Sequence, residues 1–183
     1  RDDLIKFGEK YNLKVGTIAD LIDYRLSSDS TVEVVSEKQI TNEFGEFNLI
    51  VWRDIIKDEY HFSLSKGNLL EVESPLVRVQ TQSILQDTLG IEELGKNWSI
   101  RKSMERISKE KAGLFVLINH RDAKSYWLNK LEDKEIEPKR NRRVIGVGSQ
   151  ILRALDLKKI TVLGTPTKYL SLIHISEPTR QSP

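Results

Sequence analysis

"GVGSQILRALDLKKITVLG", residues 146–164, decides the fold. Glycines lead a stretch of helical period, and the chain then passes into a short apolar run, Ile160 to Leu163. That run is too short for a helix and reads as a buried strand. A helix delivering the chain straight into such a strand is the unit of an α/β layer. Working back from it, "PKRNRR" (138–143) reads as a basic loop and "AKSYWLNKLEDKE" (123–135) as a helix. "GLFVLINH" (113–120) reads as a buried strand. "WSIRKSMERISKEKAG" (98–113) is amphipathic, with Ile100, Met104 and Ile107 on one stripe.

Further toward the start the period shortens to two. "TVEVVSEKQI" (31–40), "FNLIVWRD" (47–54) and "EYHFSLSKG" (59–67) alternate, and "NEFGEF" (42–47) supplies a hairpin turn at Gly45. "SPLVRVQTQ" (74–82) is a further strand, edge-like because of Pro75. Residues 31–82 are therefore expected to form an antiparallel sheet. "SILQDTLG" (83–90) reads as a short helix. Two helices precede the sheet. Leu4, Ile5, Phe7 and Tyr11 share a face of the first. Thr17 caps the second, whose Ile18, Leu21 and Ile22 are expected to face inward. Two short helices cannot close a core alone, so a docking surface upstream is expected. "SSDS" (27–30) reads as a linker.

Composition narrows the function. The chain has 183 residues, 38% hydrophobic and 31% charged, with 29 basic and 27 acidic side chains for a net charge of +2. Such a balance supplies no field that would recruit nucleic acid or a membrane. No apolar run approaches a membrane span, and no secretory signal opens the chain, so a cytoplasmic protein is expected. Cysteine is absent, which removes thiol catalysis, disulfides and thiolate-held zinc. The single Met is Met104, and the chain reads as a piece of a longer one.

Several constellations admit two readings. The glycines of "IGVGSQIL" (145–152) can present backbone N–H groups to an anion, or can serve close packing of helix on sheet. Lys139, Arg140, Arg142 and Arg143 can hold a polyphosphate or form a solvated loop. His61 and His120 are far apart in sequence, and His174 lies in an anomalous tail, so no metal site is expected. "HRDAK" (120–124) follows a buried strand, the end at which open α/β sheets place ligands. Asp122 and Lys124 are candidates there, and a plain surface turn is the other reading.

Three stretches together carry a resemblance. "DLIKFGEKYNLKVGTIADLIDYR" (3–25) resembles the C-terminal end of 3,4-dihydroxy-2-butanone-4-phosphate synthase, an enzyme of riboflavin biosynthesis. "NEFGEFNLIVWRD" (42–54) looks like the opening hairpin of GTP cyclohydrolase II. "IGVGSQILRALDLKKITVL" (145–163) resembles that family's Tyr-Gly-Ile-Gly-Ala-Gln-Ile-Leu segment. The two enzymes are often fused in this order. The resemblance implies a mixed fold, α+β or α/β: a cyclohydrolase II-like domain with an N-terminal antiparallel sheet and a following strand–helix layer, preceded by two helices of the synthase. It implies domains at 1–28 and 29–169. Homodimerisation and contact with an upstream synthase domain are implied as well.

The active family opens the imidazole ring of GTP, releases formate and removes pyrophosphate with a zinc-activated water. Its Arg-Val-His-Ser-Glu-Cys appears here as "RVQTQS" (78–83). Arg78 and Val79 match, Gln82 replaces the acid and Ser83 the cysteine. The family's second cysteine pair falls near Leu94 to Lys96, and is absent. Its Gly-Gln-Glu-Gly-Arg-Gly becomes "HRDAKS" (120–125), with Asp122 for Glu and Lys124 for Arg. Its Thr-Asn-Asn-Pro becomes "GTPT" (164–167). Its Asp-x-Arg becomes Asn141-Arg142-Arg143, which keeps the nucleophile's arginine and turns the base into an amide. The resemblance thus implies a cyclohydrolase-like domain without ring-opening activity, structural or regulatory for the synthase. Residual nucleotide binding would involve Arg78, Asp122 and Lys124. The family's cofactors are zinc for the cyclohydrolase and magnesium for the synthase, and none is expected here. The alternative is zinc-independent nucleotide hydrolysis by Arg143 with Asp122 or Lys124, or an active GTP cyclohydrolase II-type enzyme that releases pyrophosphate. "LSLIHISEPTR" (170–180) resembles the translation of a transposase-end sequencing adapter, so 170–183 are expected to be non-native.

Overall fold

The computed structural model describes residues 2–18, 21, 24, 30–91, 98–119 and 138–164, with 138–145 through the backbone alone. The chain divides into two units, Arg1–Ser30 and Thr31–Pro183. In the first, helix α1 runs from Asp2 to Lys10, opened by two acidic residues and closed by a lysine, as the helix dipole favours. Its apolar residues lie open: Leu4 is 64% exposed and Phe7 54%. Ile18 and Leu21, expected to face inward, are also exposed, at 79% and 58%. Phe7 and Tyr11, one turn apart, touch each other with ring centroids 4.6 Å apart.

The second unit is built on one six-stranded sheet. Strands β1 (Val32–Asn42), β2 (Gly45–Asp54) and β3 (Glu59–Lys66) form an antiparallel meander. Gly45 at φ 117° makes the β1–β2 turn, a conformation closed to residues with a Cβ. The ladder shifts register between Val34 and Ser36, where β1 carries a bulge. Then come β4 (Leu76–Thr81), helix α2 (Ile100–Ser108), β5 (Gly113–Ile118), helix α3 (Pro138–Ala154) and β6 (Thr161–Val162). The sheet order is β1-β2-β3-β5-β4-β6.

Strand β4 departs from the sequence reading. It lies between β5 and β6, parallel to both, rather than at the edge of an antiparallel sheet. Pro75 stands just before the strand, and its carbonyl accepts from the Thr161 N–H, so the missing donor interrupts no ladder. A second departure concerns 138–143. The basic run is the opening of α3, not a loop, and Gly146 and Gly148 sit inside the helix rather than at its start. Pro138 opens the helix, where its fixed φ suits the first turn and its missing N–H costs nothing. The stretch 84–88 is a single wide turn of π type, and 123–135 lies outside the described residues.

Two layers of side chains flank the parallel half. Leu114, Val116 and Ile118 of β5 pack with Val147, Ile151 and Leu152 of α3. Phe115 faces the other way and packs with Met104 and Ile107 of α2. The Ile100–Met104–Ile107 stripe read from sequence is therefore the face that α2 turns to the sheet. Among the described residues no helix is long and apolar enough to cross a membrane.

Candidate functional site: a crevice at the strand ends

From β4 the chain crosses through α2 to β5. It then crosses back through α3, past β4, to β6. Right-handed crossovers running in opposite directions put their helices on opposite faces, as observed here. The chain leaving β4 therefore turns toward the α2 face, while α3, which follows β5, lies on the other. The strand ends between them mark the topological switch point, where sheets of this kind form a crevice for ligands. Thr81 and Ile118, the last residues of the two strands, lie side by side across its floor.

Helix α3 is drawn against this floor by Gly148. A Cβ there would stand 2.8 Å from Val79 Cγ1, closer than carbon atoms tolerate. Close packing on the sheet thus accounts for this glycine. The α3 chain returns to the far end of β4, where the Thr161 N–H bonds the Pro75 carbonyl. The helix therefore runs antiparallel to β4 and begins at the crevice end. Arg143 lies five residues before Gly148, about 7.5 Å further along the axis at the helical rise. The backbones of Asn141 and Arg143 thus belong to the crevice end of α3.

Arg78 is placed differently. It points to the α2 face of β4, where its Nε donates to Gln80 Oε1 at 2.7 Å and its Nη1 to the Leu163 carbonyl at 2.9 Å. Ser103 of α2 also donates to Gln80, at 3.4 Å. Arg78 is thus engaged by its own sheet and by the strand end after β6. Asp122, Lys124 and His120 lie outside the described residues, as do Leu94 to Lys96. The segment 120–124 follows Asn119, one residue beyond the end of β5.

Ser83 forms the other lip of the crevice. It is buried, at 8% exposed, and caps the turn 84–88. Its Oγ accepts from the Gln86 N–H at 3.4 Å, and its own N–H donates to Asp87 Oδ2 at 2.7 Å. The other oxygen of Asp87 accepts from the Ile100 N–H at 2.8 Å. Among the described residues no three His, Cys, Asp or Glu side chains come together as metal ligands would.

Some polar groups at this end escaped sequence reasoning. The β3–β5 register sets Phe62 opposite Leu117, so His61 lies level with Ile118. His61 is fully buried and Glu59 is 9% exposed, both on the face that carries Ser63. That hydroxyl accepts from Trp52 Nε1 at 2.8 Å. Long sequence separation hid the fact that His61 lies beside the C-terminal end of β5. The pairing of β3 with β5, which no local pattern states, puts it there.

Comparison with known proteins fits this architecture. The sequence profile of GTP cyclohydrolase II matches residues 32–176. The chain belongs to the GTP cyclohydrolase II family. It is 35% identical over 171 residues to 3,4-dihydroxy-2-butanone 4-phosphate synthase of Photobacterium phosphoreum, covering 90% of this chain and 46% of that one. It is 30% identical over 186 residues to riboflavin biosynthesis protein RibBA of Aquifex aeolicus, covering 93% and 46% respectively. The crystal structure of RibBX, a two-domain 3,4-dihydroxy-2-butanone 4-phosphate synthase from A. baumannii, superposes with a TM-score of 0.65 at 31% identity. That match covers 99% of this chain and 50% of the RibBX chain. The chain thus spans about half the length of the relatives it matches.

Proposed function

We propose that this cyclohydrolase II-family chain serves riboflavin biosynthesis without opening GTP. In this reading it is a structural or regulatory module of a 3,4-dihydroxy-2-butanone 4-phosphate synthase, and it works as a homodimer in the cytoplasm. The observation that carries the reading is the donor chemistry at Ser83. By the resemblance drawn from the sequence, this position stands where the family has its first zinc cysteine, and the whole chain has no cysteine. A serine hydroxyl stays protonated at neutral pH, whereas zinc holds thiolates and makes a reactive water from the fourth ligand. Ser83 is in addition committed to capping its own turn. Zinc therefore does not fit the described residues.

Asn141 supports the same reading, because an amide cannot accept a proton as the family's aspartate does. What this end of the sheet retains is the basic run at the opening of α3, from Lys139 to Arg143. In this reading the domain binds a nucleotide without turning it over, with Arg143 and Lys124 as the cations available to its phosphates and Asp122 as a further candidate contact. Arg78 supports the wall behind them.

The test incubates the intact protein with GTP and zinc and assays formate and pyrophosphate, with calorimetry on GTP in parallel. Neither product is expected. Formate release at a rate that rises with added zinc overturns the proposal. Pyrophosphate without formate replaces it with zinc-independent nucleotide hydrolysis at Arg143. Weakened calorimetric binding in Arg143→Ala, with no change in thermal midpoint, is the expected sign of the holding role.

A further inference from the structure

The lip of the crevice poses a structural problem. Residues 82–99 connect the end of β4 to the start of α2, and among the described ones only 84–88 form a regular turn. A connection this long needs a tie. The order implied by the family would be thiolates around an ion, for which this chain has no cysteine.

The hydrogen bonds supply another tie. Asp87 spends both carboxylate oxygens on backbone donors from opposite ends of the connection. Oδ2 takes the Ser83 N–H at 2.7 Å, two residues past β4. Oδ1 takes the Ile100 N–H at 2.8 Å, the first residue of α2. Ile100 N–H is one of the donors that a helix leaves without an internal partner, and an anion there also meets the positive end of the helix dipole. Ser99 completes the cap by accepting from Lys102 N–H at 3.1 Å. Ser83 Oγ and Ser99 Oγ each close a local turn, while Asp87 spans thirteen residues.

We propose that Asp87 is the positioning residue of the crevice lip, clamping the end of β4 to the start of α2 so that the lip holds its shape with no bound ion. The clamp uses charge-assisted bonds, which are shorter and stronger than neutral ones. It acts through the backbone and touches no ligand, so it stands or falls independently of whether the crevice holds a nucleotide.

Amide hydrogen exchange by NMR on the whole chain, with and without a chelator, tests it. Helix-opening amides ordinarily exchange among the fastest. Ile100 and Ser83 are expected to be slow, and equally slow after chelation. Asp87→Ala is expected to speed both by at least about tenfold, as loss of a hydrogen bond to a charged group implies. Val116 in β5 should be unchanged. Asp87→Asn keeps one acceptor oxygen, so one of the two amides should speed up while the other stays protected; this variant serves if the alanine chain fails to fold. Protection surviving in both variants overturns the proposal. So does protection in the wild-type chain that disappears with the chelator.

Discussion

Strands β5 and β1 belong to the same sheet and live in different surroundings. Five of the six β5 residues are buried, and the strand has a layer of side chains on each face. In β1 only Val32 is buried, and Val34 and Val35 are 53% and 50% exposed. A parallel strand must be covered on both sides because its crossovers lay helices there, whereas an antiparallel meander can stand with a face open. The lesson concerns the candidate site. The crevice is carried by the enclosed half of the sheet, and the meander is a wing attached to it through β3.

The sharpest way to break this contrast is to empty one position in each half. Phe115→Ala removes a side chain only 1% exposed and should cost about 3–5 kcal/mol in chemical denaturation. Val35→Ala should stay within about 0.5 kcal/mol. Equal losses would mean that the halves do not differ. Gly148→Val asks how closely α3 must lie on β4. Its new Cβ falls 2.8 Å from Val79 Cγ1, and the expected loss is about 1–3 kcal/mol by thermal melting. Loss without a change in fold would tie the crevice wall to helix–sheet contact.

Ser63→Ala sharpens the comparison from the other side. One face of β2 and β3 is enclosed in part, and there Trp52 N–H meets Ser63 Oγ at 2.8 Å. Leaving that buried donor alone should cost about 1–3 kcal/mol, so urea unfolding of the variant reports how firmly the wing is anchored.

The smallest effect lies at the start of β4 and β6. There the hydrogen bond from Lys159 holds the Glu73 carboxyl below its usual value, and the ion-pair attraction acts in the same direction. A lowered carboxyl stabilises the fold above its ordinary pKa, and that contribution fades as pH falls through the lowered value. Glu73→Gln should therefore melt slightly below the wild type at pH 7 and level with it at acid pH, since an exposed pair contributes little.

Alternation in residues 31–67 made the meander legible in the sequence, as did the Ile100–Met104–Ile107 stripe for α2. The place of β4 was hidden. Its pairing with β5 and β6 depends on crossovers, and no local pattern states which strand a distant one will join. The opening of α3 was hidden for a related reason: charges in "PKRNRR" mask a helix whose apolar side begins only further on. In the candidate site, Ser83, Asn141 and Arg143 were found through family resemblance. The Asp87 clamp was not, because its partners are backbone N–H groups, which leave no mark on residue identity.

The bulge between Val34 and Ser36 bears on how this protein behaves at high concentration. The outermost strand is eleven residues long, enough to seed growth of a cross-strand filament. One surplus residue puts the outer edge of the strand out of step with any straight newcomer, and Glu33, Glu37 and Lys38 add charge along the same rim. Such an irregularity is one of the devices by which sheets discourage self-propagating aggregation.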